Sequence, residues 1–500
     1  MSKIVNIRLG GPVIEVSKDG VIPLEEMELF DVTQKLRFEQ LNFKFGYNAY
    51  KGGKYSPKDT QSVILHGQDA CGRLICNKGW FDWLYNYFVN KGYVINVNYE
   101  YPPLVRPDCY TENWERLLDT FEFRPHQEEC ITQIAERVRQ RLGGIIDAVP
   151  AFGKTALLAM LCVVYDKAKI DIITTGNELI EDIYKAVIKH DPHVGQHGGG
   201  RHVDDRVTIY SSSSLHYSNY DADIVLADEV HLLLTEKRRA YLAQYDHAAM
   251  FGFSATPTHR LDNSSKCAEA LFGPTIFKIG WQEATDSELV VPITVYWQDV
   301  ICEDNPVEGV EDLLLRKRRG YWRNEVRNQK IADIARELFE QELQVLILVD
   351  TVEHALNIKK LLPEFEVCYS ECGNNSNMKK FEKRGLLDGI PVMTKKRRKE
   401  LKAGFESREL MGVIANSVWA TGVSFNALEV LVRADGGSSS IGNIQLPGRV
   451  ARIHDNKQCG ILIDFLDAFD TATGVRATKR KRDYKKAGWK QIMPDGSVYG

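Results

Sequence analysis

From about Thr120 onward, short apolar runs alternate with helical segments, and the alternation occurs twice. The first set of runs is Gly144-Ile145-Ile146-Asp147, Asp171-Ile172-Ile173-Thr174, Ile224-Val225-Leu226-Ala227 and Met250-Phe251-Gly252-Phe253. Helical segments follow the first two, Thr155 to Tyr165 and Glu178 to His190. Near-continuous apolar runs belong to strands buried on both faces. Joined by helices, such strands build a doubly wound parallel sheet. A second set begins after Val291, with Val345-Leu346-Ile347-Leu348-Val349, Val413-Ile414-Ala415, Val430-Leu431-Val432 and Gly460-Ile461-Leu462-Ile463. The expected fold class is therefore α/β, with two such sheets in tandem.

The chain has 500 residues, which suits about three domains. Residues 1–115 read as a small α/β unit, with runs at Ile4–Ile7, Val63–Leu65 and Tyr93–Ile95 and a helix near Trp80–Phe88. The lobes are expected at 116–290 and 291–470, followed by a basic C-terminal tail at 471–500. Net charge is -4, so a nucleic-acid role has to rest on local patches. One patch is Lys44, Tyr47 and Lys51, where aromatic faces and ammonium groups interleave. Others are the runs Lys395–Lys402 and Arg476–Lys490, although charge runs are usually solvated faces. The ten cysteines lack zinc-ribbon spacing and read as free thiols. The N-terminus lacks a signal-peptide pattern, and the most apolar stretch, Leu142 to Tyr165, is broken by Asp147 and Lys154. The expectation is a protein without a membrane span, in the cytoplasm.

Ala148-Val149-Pro150-Ala151-Phe152-Gly153-Lys154-Thr155 links a strand to a helix. A loop there turns backbone N–H groups toward phosphates at the positive end of the helix. Ala151, Phe152 and Gly153 line it, Lys154 neutralises phosphate oxygens and Thr155 binds Mg2+. Ala148 stands where such loops usually begin with Gly, which implies no left-handed turn at that point. Asp228-Glu229-Val230-His231 follows an apolar strand, so its carboxylates face the crevice at the strand ends. Asp228 suits Mg2+, and Glu229 suits polarisation of a water. The bland alternative is a strand followed by an acidic turn. That alternative leaves unexplained why the next strand ends in Ser254-Ala255-Thr256, whose hydroxyls can sense phosphate, with His231 linking the two. Arg124 and Gln127 precede the first helix, and a side-chain amide there can read an adenine edge, which favours ATP. Arg449 and Arg452 are three apart, hence on one helix face, and suit arginine fingers. Gln445 would couple that contact to lobe closure, and Thr421, Gly422 and Ser424 would touch the cleft and a nucleic-acid backbone.

In this order the motifs resemble those of superfamily 2 helicases over residues 120–470. The resemblance implies two RecA-like lobes, ATP and Mg2+ as cofactors, and movement along nucleic acid. It also places Thr174, Thr175 and Gly199 in strand-contacting motifs. Phe43–Tyr47, the Trp80–Gly92 pattern and the Thr-Gly-Val-Ser form of residues 421–424 are similar to UvsW-type DNA helicases of tailed bacteriophages, including T-five-like phages. That similarity implies a duplex-binding N-terminal domain and a monomer in the infected host's cytoplasm. It implies action on forks, Holliday junctions and R-loops, alongside phage or host recombination and replication proteins. A restriction-type translocase, an RNA helicase and an ATP-gated nucleic-acid clamp remain as rival readings of the same residues.

Overall fold

The computed structural model describes residues 4–9, 13–18, 24–41, 60–100, 112–245, 247–255, 265–370, 376–416, 419, 425–455 and 457–499. It divides into two units, Met1–Ile279 and Gly280–Gly500. Each unit contains one eight-stranded sheet. All strand pairings within both are parallel, apart from a short antiparallel hairpin at one edge of each. Two tandem α/β lobes of the expected kind are present.

In the first lobe, Gly144–Ala148 lies between Ala249–Ser254 and Thr275–Ile279, near one end of the sheet. Next to Ala249–Ser254 comes Ile224–Asp228, then Ile170–Thr174, Val207–Ser211, Val194–Gly198 and the edge strand Arg201–Val203. The five strands Ile170–Thr174, Val194–Gly198, Val207–Ser211, Ile224–Asp228 and Ala249–Ser254 are buried along their whole length. That is why Ile170–Thr174, Ile224–Asp228 and Ala249–Ser254 read as near-continuous apolar runs rather than alternating ones, whereas Val194–Gly198 and Val207–Ser211 carry polar and aromatic residues into the buried sheet. Register aligns Thr174 with Ser211, Asp228 with Phe253 and Ser254 with Asp147. The carboxyl ends of these strands therefore form one edge, where ligands of such sheets bind.

Residues expected as a separate N-terminal unit build a five-stranded sheet of their own, with Val13–Lys18 at its centre and Ile4–Leu9 between it and the edge strand Val94–Tyr99. Helix Phe81–Asn90 covers it through Phe81, Leu84 and Phe88. This core runs on into the first lobe, because Leu142 and Ala270 belong to the same apolar cluster. Polar contacts reinforce the seam. Arg137 grips Asp82 through two parallel hydrogen bonds of 2.7 and 2.6 Å. Lys78, buried, donates to the carbonyl of Ala248 at 2.8 Å. At Gly79 the backbones come so close that a Cβ would lie 2.1 Å from the Glu269 carbonyl oxygen.

The second lobe centres on Val345–Leu348, Val430–Arg433 and Gly460–Phe465. Residues 471–500, expected as a basic tail, are instead integral to this lobe. Thr471–Lys486 is a helix, and Lys490–Ile492 pairs with the strand Ile293–Gln298. The reason is a buried polar network. Arg480 donates to Asp464 at 3.0 Å, Tyr484 donates to the same carboxylate at 2.7 Å, and Arg433 donates to the Tyr484 hydroxyl at 2.8 Å. Beside it, Arg327 and Asp467, both fully buried, pair at 2.7 Å. Among the described residues no helix is long and apolar enough to cross a membrane.

Removing one partner of a buried ion pair leaves the other charge uncompensated and costs about 3–5 kcal/mol. Arg480→Ala is therefore expected to lower the melting temperature of the second lobe markedly, whereas Lys479→Ala, one residue away, is expected to leave it unchanged. Equal, small effects in thermal denaturation would contradict the network's structural role.

Candidate nucleotide-binding site

The strand Gly144–Ala148 runs into a loop that ends where helix Lys154–Val164 begins. Ala148 is still within the strand, so it needs no glycine. The left-handed residues come later, at Ala151 (φ 78°) and Gly153 (φ 84°). At Ala151 that conformation strains an L-residue by about 1–2 kcal/mol, so something must hold it. Arg124 donates from Nη1 to the Ala151 carbonyl at 2.8 Å. Gln127 donates from Nε2 to the Phe152 carbonyl at 2.8 Å, and its Oε1 accepts the Arg124 backbone N–H at 3.0 Å. A Cβ at position 153 would lie 2.7 Å from Gln127 Nε2, so the glycine also makes room for this brace. Gln127 is almost wholly buried. The amide expected to read adenine is seen bracing the loop: Nε2 is engaged at the Phe152 carbonyl and Oε1 at the Arg124 N–H.

The unpaired N–H groups of the helix Lys154–Val164 open at this loop. Lys154 Nζ lies 3.5 Å from Glu229 Oε1, so the loop lysine and the strand-end acid meet. Thr155 sits half-buried in the first helical turn. Asp228 ends its strand buried, with its carboxylate accepting the Glu229 N–H at 3.0 Å. Glu229 itself is left-handed (φ 51°), a conformation that clusters at functional sites. Burial pushes the Asp228 carboxyl up to about 6; the Glu229 carboxylate adds to the rise and Lys154 opposes it. His231 is buried and lies 3.0 Å from Ser254 Oγ through Nδ1, and 3.3 Å from Glu229 Oε2. The predicted link between the acidic motif and the next strand is therefore a direct contact.

Oxygen donors suit Mg2+, and the donor set here fits: a hydroxyl at Thr155 and a buried carboxyl at Asp228, whose charge is costly without a cation. Lys154 supplies the positive charge next to Glu229.

In the second lobe, Ser440–Gln445 is a helix capped by Ser439, followed by a tight turn over Pro447–Ala451. Arg449 is in that turn and 9% exposed. Arg452 is just past it in extended conformation and donates to Asn426 at 3.2 Å. The two arginines therefore do not share a helix face, because the turn ends between them. The turn is clamped by close backbone approach: a Cβ at Gly460 would lie 2.3 Å from the Val450 carbonyl oxygen, and Val291 N donates to the Ala451 carbonyl at 2.8 Å.

Among the expected nucleic-acid contacts, Thr174 is corrected: its side chain is fully buried at the end of its strand, because that strand is central in the sheet. Thr175 is half-buried, and Gly199 is exposed in a hairpin turn. Lys44, Tyr47, Lys51, Thr256, Thr421, Gly422 and Ser424 lie outside the described residues. Sequence reasoning passed over the Arg124–Ala151 contact and the Gly460 clamp. Neither has a local signature, since each joins segments far apart in the chain.

Two outcomes test the site. Gln127→Ala is expected to lower nucleotide turnover by loosening the loop while leaving the ratio of ATP to GTP turnover unchanged; a selective loss with ATP would restore the base-reading role. The second concerns Asp228. Its folded pKa lies above the value of about 3.9 for an exposed Asp, so the stability this group contributes is full below about pH 4 and is lost as pH rises through about 6. In chelator, Asp228→Asn is expected to melt higher than the wild type at pH 8, by on the order of 1–3 kcal/mol. That advantage should vanish near pH 4. A pH-independent difference in melting would contradict it.

Comparison with known proteins agrees with this geometry. Residues 120–259, which contain the loop, the acidic motif and Ser254, match the family model described as Type III restriction enzyme, res subunit. A protein named putative helicase 22, from a Sulfolobus islandicus filamentous virus, is 23% identical over 461 residues, covering 85% of this chain and 76% of its own length. Saccharomyces cerevisiae Dbp5 bound to RNA and ADP BeF3 shares the fold at TM-score 0.53 and 13% identity, over 77% of this chain and 94% of its own. A fragment of a putative HsdR subunit of a type I restriction enzyme from Vibrio vulnificus YJ016 aligns at TM-score 0.51 and 15% identity, over 95% and 99% of the two chains. T4 UvsW covers 99% of both chains at TM-score 0.42 and 17% identity. The resemblance to superfamily 2 helicases thus holds, in the fold of the two lobes and, across residues 120–259, in sequence.

Proposed function

We propose that the chain is an ATP-driven helicase or translocase that remodels branched DNA. One observation carries the reading most: Lys154, Asp228, Glu229, His231 and Ser254 converge at the carboxyl ends of three neighbouring strands. That set fits hydrolysis of a nucleoside triphosphate. Lys154 neutralises phosphate oxygens as charge builds in the transition state. Glu229 orients the attacking water and accepts its proton. Thr155 and Asp228 hold Mg2+, which when bound offsets the charge of the phosphates. His231 couples the acidic motif to Ser254, so that loss of the terminal phosphate is felt by the next strand. Arg449 and Arg452 supply further positive charge in the transition state, and Gln445 sets their position. Branched DNA as the substrate rests on the sequence resemblance to UvsW-type helicases, and so does a duplex-binding role for the N-terminal sheet.

The test is ATPase rate with no nucleic acid, single strand, duplex, four-way junction and RNA, with Lys154→Ala as the blank. The expected result is strongest stimulation by forked or four-way DNA, with hydrolysis abolished and DNA binding spared in Lys154→Ala. Strongest stimulation by RNA would make the chain an RNA motor, and no stimulation would sink the motor reading. Arg452→Ala is expected to slow hydrolysis while nucleotide binding stays nearly intact; an unchanged rate would remove Arg452 from the catalytic set.

A further inference from the structure

At the edge of the first lobe opposite the phosphate loop, the sheet carries aromatic rings where an apolar face is usual. Register places His202, His197 and Tyr210 side by side on three adjacent strands, hence on one face. The inner rings are fixed. His197 stacks on Tyr210 with centroids 5.0 Å apart and planes 9° apart. Asp204 lies 2.8 Å from His197 Nε2 and accepts the Tyr210 hydroxyl at 3.3 Å. His202 Nδ1 lies 3.4 Å from His197 Nδ1.

Over this row the short turn Leu215–Tyr217 lays a second layer. Tyr217 stacks on His197 at 5.6 Å and meets His202 at 4.8 Å and His216 at 4.1 Å. His197 and Tyr210 are buried, whereas His202, His216 and Tyr217 are exposed, Tyr217 by 49%. The result is a pinned inner layer supporting three contiguous open rings. Beside them the turn at Gly199 and Gly200 is bare backbone: a Cβ at Gly200 meets nothing within 4 Å. Arg201, exposed, rests over the Tyr184 ring at 5.7 Å.

We propose that this patch is a base-stacking platform for single-stranded nucleic acid, with Tyr217 as its main ring. The proposal rests on the nucleic-acid motor reading above and adds how one lobe holds the strand. Each base has a π-face, so an exposed ring can hold it without reading sequence. The open Gly199–Gly200 turn lets a sugar-phosphate backbone approach. The patch is on the edge formed by the carboxyl ends of the strands, which also bears Asp228 and the phosphate loop. The nucleotide and the strand would thus be held at opposite ends of one rigid sheet.

The full chain is titrated with oligo(dT) and with an abasic strand of equal length and charge, in wild type, Tyr217→Ala, Tyr217→Phe and His216→Ala. The wild type should prefer the base-bearing strand. Tyr217→Ala should weaken oligo(dT) binding about tenfold, within the range for one stacked base, with an unchanged salt slope and unchanged ATPase in the absence of nucleic acid. Tyr217→Phe should restore binding, and His216→Ala, on an exposed ring, should weaken it in the same direction. Equal wild-type affinity for both strands, or wild-type affinity in both Tyr217→Ala and His216→Ala, would overturn the platform while leaving the motor reading intact. Failure of the wild type to bind any nucleic acid would overturn both.

Discussion

The amide of Gln127 fixes the shape on which the site depends. A phosphate loop has to present successive backbone N–H groups to one point, and here that requires a left-handed alanine at position 151. Such a conformation persists only when its surroundings over-determine it. Arg124 and Gln127 do so from outside the loop, each capturing one carbonyl, while Gly153 leaves space for the amide. The helix that supplies Gln127 packs its apolar face, Ile131, Ile134 and Val138, into the lobe. Loop geometry is thereby tied to the core of the first lobe rather than to the loop's own sequence.

The second lobe reaches a comparable rigidity by charge. Arg433 and Arg480 both contact the Gly437 carbonyl, at 3.2 and 3.1 Å, where the chain leaves the sheet toward the Ser440–Gln445 helix. Asn443 in that helix donates to Asp483 at 2.7 Å. The C-terminal helix thus braces the segment that leads to Arg449, and the Gly460 approach braces the turn itself. Buried ion-pair networks of this kind disfavour partial alternatives, because each of those strands a charge.

Most of the architecture was legible because buried parallel strands leave an unmistakable apolar signature, and because loop and acid motifs sit at fixed places relative to strand ends. What failed was local extrapolation. The run Arg476–Lys490 looked like a solvated tail, yet Arg480 finds Asp464 and Tyr484 completes the pair, contacts set by sheet order rather than by neighbours in sequence. Thr174 looked like a strand contact, yet a central strand buries its last residue. The spacing of Arg449 and Arg452 implied one helix face, but the turn ends after Ala451. The His197–Tyr217 cluster drew no attention, since its rings come from separate strands and a turn and meet only through register.

The seam at Gly79 bears on how such a chain can be altered. Domains joined by a flexible linker can be exchanged like beads on a string, because few contacts cross between them. Here a bare backbone sits against the carbonyls of Glu269 and Ala270, and one apolar cluster continues across the join. The small sheet and the first lobe therefore behave as a single casting. Neither could be swapped for a counterpart from another protein without carrying over the matching surface on the other side, and any rotation of the lobe would turn the small sheet through the same angle.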